Sequence, residues 1–300
     1  MNKGILGVGI SIKCIDADFR DLGPNLEEAE ALGVDSVEIP TLTMPLVADG
    51  KIMREQLRKA KEVIGQRPYR ITAHGPIAIN LMDDDWRLPL HEQVLAASIE
   101  VAAELGAEHY VMHSGMCNDM QSPAINIAYA KQREALQRAG DFAKQHDIII
   151  TVENCFTYDR SRLTALPSRL AAEIAAVNHP NVKACFDFSH GLINATLHGV
   201  EFLEEAAALA PYAKHLHVHD SFGKPYDIKA HSRAERLAFG QGDIHLPIGW
   251  GSIAWGQLIE RIRFHPGVIF NIELEQTYWS QVKDSISAVR ELAARAKTTE

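Results

Sequence analysis

Eight short runs rich in Val, Ile and aromatic residues alternate with longer amphipathic stretches along the 300-residue chain. The runs are ILGVGI at 5–10, VDSVEI at 34–39, YRITAH at 69–74, EHYVMH at 108–113, IIITVE at 148–153, VKACFD at 182–187, AKHLHVH at 213–219 and VIFNIELE at 268–275. Helical patterning fills the gaps at 26–33, 54–64, 91–106, around 124–145, at 167–177, 200–210, 252–262 and 280–296. Strands that alternate with helices point to βαβ units and a parallel sheet. Eight such units in a chain this long is the count of a closed (β/α)8 TIM barrel. A doubly wound open sheet would carry a Gly-rich phosphate turn after its first strand, and ISIKCIDADF has none. No linker or shift in composition interrupts the chain, so the expectation is one barrel domain over 1–300. One segment breaks the rhythm: after strand seven, SFGKPYDIKAHSRAERLAFGQGDIHLPIGWG forms a loop of roughly 31 residues, a length that usually serves function.

Composition narrows the partners. The net charge of −9 offers no general attraction to phosphate backbones or anionic lipid, which disfavours nucleic acid. No apolar run approaches the roughly 18 residues needed to span a bilayer, so no membrane partner is expected. The opening MNKGILGVGISIKCIDADF has one short apolar stretch and no small-residue cleavage site, and reads as a first strand rather than a secretory signal. Cys14, Cys117, Cys155 and Cys185 form no Cys-x-x-Cys pair and fit a reducing, cytoplasmic setting.

The 14 histidines carry more information. Active sites of parallel barrels sit at the C-terminal ends of the strands. Here strand three ends at His74, four at His113, five at Glu153 and six at Asp187, while strand seven carries His217 and strand eight Glu273. Any one of these has an ordinary reading, as a hydrogen-bonded structural His or a carboxylate capping the next helix. Several carboxylates crowded on one rim, however, repel one another and suffer desolvation unless a cation compensates. Mixed His and carboxylate donors suit Zn²⁺, Mn²⁺, Co²⁺ or Fe²⁺ more than Ca²⁺. His190 follows Asp187 at a spacing that lets one turn present both, and Asp243 and His245 share a face of the long loop if it is extended. His215, His217 and His219 also alternate, as do Glu273 and Glu275, and periodicity alone does not choose among them.

The segments ITAHGP, VMHSG, VENC, FDFSH, HVHDSFG, GDIHLPIGWG and IELE, together with ILGVGIS and ALGVDSVEI, carry a resemblance that spans essentially the whole chain. The chain resembles the xylose-isomerase-like barrels of sugar phosphate isomerases and epimerases, a superfamily that also contains the endonuclease IV type of apurinic-site nuclease. The isomerase branch implies one divalent ion on Glu153, Asp187, His217 and Glu273. The nuclease branch holds three zinc ions with nine ligands, and its five additional positions match His74, His113, His190, Asp243 and His245. One, two or three ions are therefore open. Carboxylate-rich sites accept Mn²⁺, Mg²⁺ or Co²⁺, whereas added histidines favour Zn²⁺. The chain departs from the nuclease branch after strand one and at Ile77, where the nuclease carries an aromatic that enters DNA.

The resemblance implies an isomerase or epimerase acting on a ketose, keto-sugar or sugar phosphate through an enediolate, with Glu153 and Glu273 as both ligands and acid/base pair. His190 would bind a substrate hydroxyl or a second ion, and the family implies a homodimer. The residue types do not separate this from a lyase or dehydratase acting on a keto-sugar, and phosphodiester hydrolysis is the disfavoured third reading. Trp250, Trp255 and Trp86 are candidates to wall the pocket, and Lys224 or Arg233 to meet an anionic group. The alternatives are core packing for Trp255 and a solvated loop surface for Lys224 and Arg233.

Overall fold

The computed structural model describes residues 4–117, 123–157 and 164–299. Eight strands form a closed parallel barrel: β1 (Ile5–Ser11), β2 (Ser36–Ile39), β3 (Arg70–His74), β4 (Ala107–His113), β5 (Ile149–Glu153), β6 (Val182–Asp187), β7 (Ala213–Val218) and β8 (Val268–Ile272). Each pairs with its neighbours in sequence, and β8 closes on β1 through Ile10 opposite Ile272. Alternation along each strand divides two environments. Val37, Tyr110, Val152, Phe186, Leu216 and Phe270 pack in the aliphatic and aromatic core shared with the helices. The intervening positions turn inward, and here Glu38, Thr72, His109, Thr151, His215 and Asn271 are all buried. Interiors of such barrels are normally filled by Val, Ile and Leu. This one is polar.

The helices follow from their own spacing. In α1 (Leu22–Leu32) the buried Leu22, Leu26 and Ala29 recur at helical intervals, and Gly33 ends it in the left-handed region at φ +66°. The remaining helices that cover the barrel are α2 (Arg54–Ile64), α3 (Leu88–Glu104), α4 (Pro123–Gln145), α5 (Pro167–Val177), α6 (Phe188–His198), α7 (Phe202–Leu209), α9 (Trp255–Arg261) and α10 (Val282–Arg295). A two-residue turn at Asp49–Gly50, both at positive φ, joins a small hairpin of 47–48 and 51–52.

Two elements differ from expectation. FSHGLINATLH forms α6, although Gly, Thr, Ile and His are weak helix formers. Asp187 caps it by accepting the backbone N–H of His190 at 2.7 Å, so the cap nucleates what composition does not. The long segment after β7 also contains a helix, α8 (Arg233–Phe239). Ser232 caps it through Glu235 N–H, while the Glu235 carboxylate accepts His231 N–H at 2.6 Å. Ser232–Glu235 is a Ser-x-x-Glu capping sequence, a signal legible in the residues themselves.

The base of this excursion is clasped rather than open. Asp220 and Leu246 exchange both backbone hydrogen bonds, at 2.8 and 3.0 Å. The buried Asp220 carboxylate accepts from the N–H groups of Ser221, Gly249 and Ile253 and from the Trp255 indole. Both ends of the segment are thereby tied to one anion, which holds Asp243 and His245 over the barrel mouth. Among the described residues no helix is long and apolar enough to cross a membrane.

Candidate functional site

The strand ends, the first turn of α6 and the long loop bring nine side chains together in three linked groups. Glu153 Oε2 lies 3.3 Å from His74 Nε2 and 3.4 Å from His113 Nε2. His217 Nδ1 lies 3.2 Å from Glu153 Oε1, 3.4 Å from Glu273 Oε2 and 3.8 Å from Asp187 Oδ2. Asp243 Oδ2 lies 3.3 Å from His190 Nε2 and 2.5 Å from His245 Nε2. Register explains the convergence, since His113 is level with Glu153 and Asp187 with His217. Asp187 and His190 share the first turn of α6, while Ser189 donates to Asp243 at 3.0 Å and draws the long loop onto that turn.

The outer nitrogens of these imidazoles reveal their state. His74, His190 and His245 each donate Nδ1–H to a backbone carbonyl, of Gly75, Asn154 and Glu273, at 2.9, 3.0 and 2.9 Å. In the neutral tautomer, Nε2 then presents a lone pair toward a carboxylate oxygen. Two lone pairs at such distances repel unless a proton or a cation lies between them. Backbone or carboxylate partners on the outer nitrogen are the usual support of a metal-ligating His. Glu153 Oε2, wholly buried, has no hydrogen-bond donor of its own. Several sets of these donors lie close enough together to hold a divalent cation: Asp187, His217 and Glu273; His74, Glu153 and His217; Glu153, Asp187 and His190; His219, His245 and Glu273; and Glu38, His215 and His217.

Charge balance within the cluster is tight. Burial alone would raise the Glu153 carboxyl, but the imidazoles of His217 and His113 overcome it and hold it well below the usual range. Burial pushes His113 down to about 4, keeping its ring neutral and able to ligate near neutral pH. Burial likewise disfavours charge on His245, yet Asp243 and Glu273 outweigh it and raise the ring to about 10. His245 also sits at φ +45°, an uncommon backbone state for a residue other than Gly, and such states gather at functional sites.

Three further residues belong to the site. Glu38 of β2 reaches into the barrel, with Oε2 3.0 Å from His215 Nε2 and 3.4 Å from His217 Nε2. Its Oε1 accepts from Ser11 and Asn271. It is a carboxylate one residue from the end of its strand, close to the rim like the others, and that is the signal by which the sequence could have named it. His219 Nε2 approaches Asp187 Oδ2 at 2.9 Å, so all three alternating histidines of HLHVH face the interior. Asp220 is the clasp described above. Of the Glu273/Glu275 pair, Glu273 joins the cluster, while Glu275 is ion-paired with Lys13 and Arg233.

The remaining candidates lie elsewhere. Lys224 is exposed and donates to the Phe239 carbonyl at 3.2 Å, within the long loop. Trp250 packs on Tyr278, with ring centroids 5.6 Å apart. Trp86 is 75% exposed beneath the Arg87 guanidinium. Trp255 is buried against Phe188. None of these four borders the cleft of about 340 Å³ that opens over the cluster, whose floor includes His74, His245 and Glu273.

Comparison with known proteins places the barrel. Among solved structures, a D-tagatose 3-epimerase-like protein superposes with a TM-score of 0.67 at 20% identity, over 95% of this chain and 98% of that one. The D-allulose 3-epimerase of Methylomonas sp. in complex with D-allulose gives 0.66 at 16% identity, covering 97% of each chain. A Thermus thermophilus protein soaked with ZnCl2 gives 0.64 at 18% identity, over 97% of this chain and 99% of that one. At these identities the likeness is one of fold. No curated protein sequence matches significantly. A family model described as a xylose isomerase-like TIM barrel matches residues 26–297, nearly the full length, and the chain belongs to that family.

Proposed function

We propose that the protein, working as a single barrel domain, is a divalent-metal-dependent epimerase or isomerase of a ketose or keto-sugar. The observation that carries this reading is the approach of Glu153, Asp187 and Glu273 to one imidazole nitrogen of His217. The sugar epimerases among the structural neighbours support it. Glu153, Asp187, His217 and Glu273 are the residues that would hold the ion. When bound, a divalent ion polarises the substrate carbonyl and compensates charge developing beside it.

The chain's own groups do the rest. A C–H beside a carbonyl is too weak an acid to ionise unaided near neutral pH, so a positioned carboxylate must take the proton and another return it. Glu273 borders the cleft and meets the substrate directly. Glu153 lies at the buried floor, three strands away around the barrel, and addresses the substrate from a second direction. Delivery to the opposite face of the same carbon is epimerisation, and delivery to the neighbouring carbon is isomerisation. His190, tied to Asn154 and facing Asp243, orients a substrate hydroxyl or serves a second ion.

One observation favours a second reading. The group of His190, Asp243 and His245 adds donors that a single-ion epimerase does not need, and several ions suit phosphodiester hydrolysis. Against it stand the net charge of −9 and an aliphatic Ile77, 51% exposed.

The test is a panel of ketoses and keto-sugars incubated with metal-loaded protein in D2O and followed by NMR, with chelated and abasic-DNA arms. The expected result is deuterium entering at a carbon beside the carbonyl, without loss of water and only with metal. Loss of water would replace the proposal with a lyase, and cleavage of abasic DNA with a nuclease.

A further inference from the structure

The cleft over the cluster has two unlike halves. Its floor is ionisable, but its wall, built from the segments after β1, β2 and β8, has its polar side chains already engaged. Lys13 Nζ lies 3.2 Å from Glu275 Oε1, and Arg233 pairs with the same carboxylate. Thr43 donates to the Cys14 carbonyl at 2.5 Å, Ser11 donates to Glu38 at 2.8 Å, and the Cys14 thiol faces Asp21 at 3.5 Å. What the wall leaves for a ligand is Ile12, Ile15, Pro40, Leu42 and Leu274.

Two of these are out in water at the mouth, Ile15 at 81% and Leu42 at 39% exposed. Ile15 is not on a loose tip. The Asp21 carboxylate accepts its backbone N–H at 2.7 Å, and two residues before Asp21 the loop is bracketed by Phe19, buried in the core at positive φ. Ile15 and Leu42 thus extend the apolar lining of the cleft out to its mouth, and pockets lined mainly by apolar side chains with a few polar groups are the common form of a ligand site. Leu274 follows Glu273 directly, so the apolar wall begins one residue from the proposed acid/base.

Resting on the proposed reaction, we infer that the substrate is an uncharged keto-sugar bearing an apolar substituent, such as an alkyl or aryl glycoside. Its hydroxy-carbonyl end faces Glu273 and His245, and its apolar group lies on Ile15, Leu42 and Leu274. A free ketose would set most of its hydroxyls against aliphatic side chains, with the Lys13 ammonium, held on Glu275, as the main polar side chain of the wall. A sugar phosphate would find the two nearby cations already bound to Glu275 and three carboxylates, of Glu38, Glu273 and Glu275, beside it.

Isothermal titration of metal-loaded protein with non-reacting probes tests this apart from turnover. Phenyl β-D-glucopyranoside should bind at least about tenfold tighter than methyl β-D-glucopyranoside, the scale a few apolar carbons supply in a pocket. Glucose 6-phosphate should bind no tighter than glucose. The Ile15→Ser/Leu42→Ser variant should lose the phenyl preference while keeping metal content and melting temperature, since both side chains stand clear of the core. Equal binding of the two glycosides, no detectable binding of the phenyl glycoside, tighter binding of the phosphate, or a preference that survives the double substitution overturns the inference. A phenyl preference without hydrogen exchange on any ketone sinks the proposed reaction and leaves the apolar subsite standing. Turnover of free ketoses without that preference does the reverse.

Discussion

The rim of this barrel is two surfaces. From β3 round to the end of β8 it is a lattice of imidazoles and carboxylates, where the burial of Glu153 and Asp187 is offset by the imidazoles around them. From β1 to β2 it is an aliphatic wall whose few polar side chains already have partners. The first surface is cooperative, because removing one member leaves several others buried and unpaired. The second is additive, because each aliphatic side chain contributes its own area. Chemistry is concentrated in the first and selection in the second.

Substitution at the hub of the charged arc should have the largest effect. Glu153→Gln removes a carboxylate that touches His74, His113, His190 and His217. It is expected to abolish stoichiometric metal binding, measured by mass spectrometry of the native protein, and to lower activity by roughly 10³-fold or more. Activity within tenfold of the parent would show that the lattice is not organised around this residue.

An intermediate effect is expected at the clasp that carries Asp243 and His245 to the rim. Asp220→Ala strands four donors, those of Ser221, Ile253 and Trp255 buried, and should cost about 3 kcal/mol in denaturant unfolding, with some loss of metal affinity. A stability change below about 1 kcal/mol would mean that the long loop is held by other contacts.

The smallest effect falls on the seam between the two arcs. Glu38 borders the cleft wall and also faces the outer nitrogens of His215 and His217. Burial alone would raise its carboxyl, but His217 and His215 hold it well below the usual range. Glu38→Gln should weaken metal affinity by about 10–100-fold in chelator competition and alter the His217 tautomer seen by nitrogen NMR. Unchanged affinity with an unchanged tautomer would separate the two arcs completely.

The barrel was legible because strand alternation and helical spacing are local, and all eight strands fall where the Val- and Ile-rich runs stand. Boundaries moved only slightly: β8 ends at Ile272 rather than 275, which puts Glu273 at the start of the following segment. The convergence of these side chains was legible too, since a strand of known phase delivers the side chains at its end to the rim. Glu38 was not singled out, because VDSVEI ends in Ile39 with the carboxylate one place earlier and its partners His215 and His217 are more than 170 positions away. Helix α6 escaped composition because its stability comes from the Asp187 cap rather than from its residues' propensities.

What the chain alone decided is periodicity, hence the eight-fold barrel and the identity of the side chains at its strand ends. Folding decided their partnership: which ring nitrogen donates outward, which of Glu273 and Glu275 enters the cluster, and that Lys224 stays in its loop while Ile15 edges the cleft. The physical reason is range. Backbone geometry repeats over a few residues, whereas charge compensation and access to a cleft depend on atoms brought within about 4 Å from opposite sides of a closed sheet.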